Sequence, residues 1–158
     1  MTKRERYMPL LLLAFAMLIA LLLIITVFSV PAFGQKQPST PAAGSVERLA
    51  LMDAIRPRVE RDLNQQVTFK VSRLKIQNGW AFAIVYPRQP DGRAIDWSRT
   101  RFAQDYEAGM FSDLACVLLR KHSKGWRIVD YALGPTDVAY EDWPRRHGAP
   151  RAIFGLEN

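Results

Sequence analysis

The chain has 158 residues, with 22 Lys or Arg against 15 Asp or Glu, two His and one Cys, and a formal charge of +7 at pH 7. Setting aside the first 34 residues removes three of those bases and one of the acids, leaving +5 on 124 positions, enough chain for one modest domain with one hydrophobic core. The lone cysteine excludes an internal disulfide, and basic residues interleaved with acidic ones, as Arg56, Arg58 and Arg61 are with Asp53, Glu60 and Asp62, lack the concentrated stripe of a nucleic-acid binder.

Residues 1–34 read as an export signal or a membrane anchor. Lys3, Arg4 and Arg6 precede an unbroken apolar run from Met8 to Val30, followed by Pro31-Ala32-Phe33-Gly34-Gln35. The run has the length of about 20 residues that spans a bilayer core as a helix. Its end has the small-x-small pattern of a cleavable signal, Ala32-x-Gly34, which favours a cut before Gln35. Either way the basic residues hold the N-terminus in the cytoplasm. The expected location of the rest is therefore across the cytoplasmic membrane: periplasmic or extracellular if cleaved, anchored to the inner membrane if not. A +5 domain there is open to attraction by anionic envelope material such as lipid headgroups or acidic glycans, although bases scattered among acids read more strongly as a solvated helix face.

Residues 35–44 hold two prolines and no large apolar side chain, the composition of a flexible linker. Residues 45–158 are then the domain. Ser45 is placed to cap a helix whose apolar residues Leu49, Met52, Ile55, Val59 and Leu63 recur at three and four positions. Pro57 falls within this stripe, which predicts a break or, since the stripe keeps its phase, a kink near Ile55.

The period becomes two from Val67, with a phase slip near Ser72 that predicts a bulge. Asn78-Gly79 predicts a tight hairpin turn, since both residues tolerate positive φ. The return strand Trp80 to Tyr86 carries large side chains on one face, while Ala81, Ala83 and Val85 form a smaller face that lets a helix approach. Pro87 to Ser112 is a long connection, with a helical turn expected near Phe102 to Tyr106 and the functional potential of such loops. A second hairpin follows, Leu114 to Arg120 and Trp126 to Leu133, with Cys116 expected to be buried in its apolar first strand. From about Gly134 the chain reads as an irregular tail, with a short helical turn between Asp137 and Trp143.

One helix followed by two hairpins predicts an α+β domain, a helix packed on a curved antiparallel sheet of about four strands. With Gly79-Trp80-Ala81-Phe82 and Lys124-Gly125-Trp126-Arg127-Ile128-Val129 as strand starts, Ser45 to Leu133 resembles the cystatin-like and NTF2-like α+β domains of small exported bacterial proteins. That superfold hosts enzymes, inhibitors and ligand binders, so the resemblance implies a fold and not an activity.

Chemistry-bearing residues are sparse. His122 and His147 stand apart, with no Cys, Asp or Glu at ligand spacing, so no metal and no cofactor is expected. The one catalytic candidate is Asp130, which interrupts an apolar strand: pointing inward it would serve as a general base, and otherwise it faces solvent or pairs with an arginine. Thr136 and Asp137 fit as helix caps. Trp80 and Trp126, which open strands, read as core. Trp97 and Trp143 lie in connections, and with Arg99, Arg101, Arg145 and Arg146 they define a predicted Arg/Trp binding patch, unless the loops fold their aromatics onto the sheet. Two functions remain open. The first is a non-catalytic exported module that binds an envelope protein or an anionic envelope component, held to the membrane by its N-terminal segment if that is uncleaved. The second is a small-ligand cone or an enzyme on the concave face, lined by Asp130 and Tyr131.

Overall fold

A computed structural model of the protein describes residues 36–156; the expected signal or anchor lies outside them. Among the described residues no helix is long and apolar enough to cross a membrane.

Helix α1 (Val46–Leu63) begins at Ser45, whose Oγ accepts the Arg48 backbone N–H at 3.3 Å, and ends at Asn64 in the left-handed conformation. Leu51, Met52, Ile55, Val59 and Leu63 are its buried face. Leu49, expected there, is 54% exposed. At 100° per residue it sits about 90° from the centre of the buried stripe, on the flank away from the buried Leu51. The helix continues through Pro57 to Leu63, so of the two alternatives the break is absent. Interrupting a helix with proline costs about 3 kcal/mol. Ile55 and Val59, on either side, are both fully buried, and such burials stabilise by roughly 1.5–3 kcal/mol each.

Strands β1 (Thr68–Gln77), β2 (Trp80–Arg88), β3 (Ala115–His122) and β4 (Gly125–Leu133) form one antiparallel sheet in chain order. The first hairpin closes by pairing Gln77 with Trp80 around Asn78 (φ 51°) and Gly79 (φ 74°), the two-residue geometry that Asn-Gly favours. The register slips between Val71 and Arg73, as the phase change at Ser72 predicted. A second bulge lies in β4: Leu118 faces Asp130 and Leu119 faces Ile128, which leaves Val129 unopposed. Between β2 and β3 the connection carries a 3₁₀ turn at Trp97–Arg99 and the short helix α2 (Ala103–Glu107), close to the predicted turn.

The two faces of the sheet bury different partners. Ala81, Ala83 and Val85, with Val117 and Leu119, pack under Leu51, Ile55, Val59 and Leu63 of α1. The opposite face, Phe82, Cys116 and Leu118, is covered by Trp143, Ile153 and Phe154. The tail is therefore a third layer, with helix α3 (Trp143–His147) and a 3₁₀ turn at Arg151–Ile153, where the sequence suggested an irregular end. The Phe82 ring lies 4.7 Å from those of Phe154 and Tyr140, and Trp143 meets it edge-on at 6.2 Å.

The linker is also placed. Ser39 exchanges two backbone hydrogen bonds with Ile76, at 2.9 and 2.8 Å, on the free edge of β1, and Gln77 Nε2 donates to the Lys36 carbonyl at 2.7 Å. Its lack of large side chains foretold a flexible tether, but an open strand edge offers unpaired backbone groups to any adjacent chain.

Candidate functional site

The predicted Arg/Trp patch does not assemble. Trp97 (6% exposed) belongs to the helix-side core, stacked on Tyr106 at 4.9 Å and edge-on to Phe111 at 5.3 Å. Trp143 (2% exposed) is in the core on the opposite face. The connection and the tail fold their aromatics onto the sheet, because each ring has more apolar area to bury than a loop surface can shelter. The arginines are separated accordingly. Arg99 borders a cleft with Asn64, Gln65 and Pro90, Arg101 pairs with Asp62 at 3.3 Å, and Arg145 and Arg146 are exposed on α3.

Asp130 and Tyr131 do not share a wall. They are consecutive in β4, so their side chains leave opposite faces: Asp130 opposite Leu118 on the tail side, Tyr131 opposite Val117 on the helix side. Asp130 Oδ1 accepts the Tyr131 backbone N–H at 2.8 Å, and its Oδ2 lies 2.6 Å from His147 Nε2 and 3.4 Å from Arg146. The carboxylate thus ties α3 to the sheet, with an arginine and a histidine as its partners. Sequence reading missed His147 as that partner, since 17 residues separate the two and no local pattern joins them.

On the other face the Tyr131 hydroxyl is buried with no hydrogen-bond partner, and the Arg58 guanidinium lies 4.7 Å above its ring. Burial, and then the Asp62 carboxylate, push this phenol well above its ordinary pKa. Cys116 is 1% exposed, and burial raises its thiol to about 11, which makes it an inert core residue. Among the described residues no three His, Cys, Asp or Glu side chains gather where they would hold a metal ion.

Met110 and Val138 are exposed singly in the connection and the tail, whereas two exposed apolar residues stand together at the start of α1. Val46 is 84% exposed and Leu49 54%. Beside them a shallow groove of about 360 Å³ runs between Val46, Ala50, Gly125 and Trp126, with Lys121 at its rim. Lys121 Nζ holds Glu47 at 2.9 Å and lies 5.4 Å from the Trp126 ring centre. A second, more polar cleft of about 300 Å³ adjoins it, lined by Lys36, Ser39, Gln77 and Asn78 and sharing Glu47, Lys121 and Trp126. Gln77 is 6% exposed, with its Oε1 unpartnered. Both hairpin turns meet here, for the Lys121 N–H donates to the Gly79 carbonyl at 2.8 Å. The sequence held one signal of this surface: Val46 and Leu49 recur at helical spacing ahead of the buried stripe, on a first turn too short to have been assigned its own face.

Comparisons with protein-family models, with curated proteins and with solved structures find no match for this chain.

Proposed function

We propose that the chain is an exported, non-catalytic module that acts at or beyond the cytoplasmic membrane by binding a protein or another envelope component. The observation that carries the binding role is the exposed apolar start of α1, Val46 and Leu49 beside the groove over Trp126, rimmed by lysine. Isolated surface apolar residues are ordinary, whereas neighbouring ones around a groove mark contact surfaces. The export role is supported by the basic-then-apolar order of residues 3–30. The cystatin-like or NTF2-like identity of the fold belongs to the same proposal, supported by the helix and the two hairpins in that order.

The binding surface thus shifts from the predicted connection and tail to the start of the domain. The alternative, a ligand cone or active site built on Asp130 and Tyr131, loses support because those side chains diverge. Crosslinking from Leu49 in the full-length chain in intact cells, with mass spectrometry of the captured material and of the N-terminal peptide, tests the proposal. The expected result is capture of an envelope constituent from position 49 and none from the distant turn residue Arg93. Capture of cytosolic proteins, or equal capture from both positions, would overturn it.

A further inference from the structure

We infer that the face made by the start of α1 and the two hairpin turns rests on an anionic phospholipid surface. The inference builds on the exported-module reading and names its partner. Three observations carry it.

The first is composition. Val46 and Leu49, 84% and 54% exposed, supply apolar side chains that can enter a headgroup layer. Lys36 and Lys121 line the adjoining clefts, Lys124 stands in the second hairpin turn, and the one carboxylate in residues 36–50 and 118–127 is Glu47, already held by Lys121. An apolar centre with a cationic rim matches the chemistry of a lipid surface rich in phosphate anions, to which each nearby Lys or Arg adds attraction.

The second is chain length. The apolar run ends at Val30, and the chain is bonded to the sheet from Lys36, whose carbonyl accepts from Gln77. The intervening residues reach about 20 Å when fully extended. In the uncleaved, membrane-anchored form of the chain, and only there, a span that short keeps the part of the domain beside Lys36 near the headgroups, and that part is the face in question.

The third is the direct attachment of the linker. Two backbone bonds between Ser39 and Ile76, with the Gln77 bond to the Lys36 carbonyl, fix residues 36–39 to the edge of β1 beside this face.

The test uses the full-length chain with an environment-sensitive dye on Ser123→Cys, in the turn of the second hairpin, and a control dye on Pro90→Cys at the far end of β2. Native Cys116 is buried and stays unlabelled. The chain is mixed with vesicles of phosphatidylcholine alone or of phosphatidylcholine with phosphatidylglycerol. The expected result is a blue shift at position 123 with the anionic vesicles only. Salt should reverse it, and Lys36→Glu with Lys124→Glu should weaken the response about tenfold or more. The dye at position 90 should stay silent. No response at 123 with anionic vesicles, or an equal one at 90, would overturn the inference, as would a protein captured from position 49 in cells together with a silent dye. Retention on pure phosphatidylcholine after an alkaline wash reads the anchor separately: its loss would refute anchoring, while a response at 123 to anionic vesicles would still support the face.

Discussion

Tyr131 carries a buried hydroxyl with no hydrogen-bond partner, below the Arg58 guanidinium and near the Asp62 carboxylate. The hydroxyl makes no hydrogen bond of ordinary length and has the Asp62 carboxylate near it, so Tyr131→Phe, which keeps the ring under Arg58, should change stability at neutral pH by less than about 1 kcal/mol. The same group fixes a pH dependence. Burial and Asp62 raise the folded-state pKa above that of the unfolded chain. The folded state therefore keeps the phenol proton where the unfolded chain has lost it. Stability from this group is full below the unfolded value of about 10 and falls as the pH climbs above it. Urea unfolding at about pH 8 and about pH 10.5 should show wild type losing more stability than Tyr131→Phe between the two. Equal losses would place the alkaline sensitivity in another group.

At the scale of elements, α3 is the piece whose attachment can be isolated. Asp130 receives His147 at 2.6 Å and Arg146 at 3.4 Å, with its own side chain 19% exposed. Hydrogen bonds to a charged group contribute about 1.5–3 kcal/mol, so Asp130→Asn should release α3 before it unfolds the sheet. Trypsin has exposed sites at Arg145 and Arg146. Cleavage there should quicken about tenfold for each 1.4 kcal/mol lost, while the strands stay protected. A rate like that of wild type would mean that Trp143 and Phe154 alone hold the tail. This element also shows where sequence reading stops. The cap at Ser45, the turn at Asn78-Gly79 and the slip at Ser72 were legible because each is decided by residues a few positions apart. The burial of Trp97 and Trp143, the docking of Ser39 on Ile76 and the pairing of Asp130 with His147 depend on which face the chain returns to. No period in the sequence encodes that choice. The large side chains of Trp80, Phe82 and Ile84 were legible as one face, but not the tail that covers it. Of the surface at the start of α1, Leu49 was read as part of the core stripe and Val46 was not read at all.

At the scale of the molecule, the sheet is stable only if both of its faces are covered, and the two covers are unequal. Helix α1 is continuous and capped at both ends. The tail is a set of short turns anchored by Trp143, Ile153 and Phe154 over Phe82, Cys116 and Leu118. Arg73 adds a tie from β1, donating to the Phe154 carbonyl at 2.5 Å. Removing a buried phenylalanine side chain costs about 3–5 kcal/mol, against about 5–15 kcal/mol for a whole domain. Phe154→Ala should therefore lower the Tm by more than about 10 °C, even though residue 154 lies close to the end of the chain. Cys116 reports the cause. In the wild type its thiol is 1% exposed and held at a pKa of about 11, so a thiol reagent at neutral pH should react slowly. If the tail is a true third layer, the variant should expose the thiol through local opening and react at least about a hundredfold faster at temperatures well below its Tm. A variant with the lowered Tm but unchanged thiol reactivity would mean that the molecule opens only as a whole, with tail, sheet and helix forming one cooperative unit.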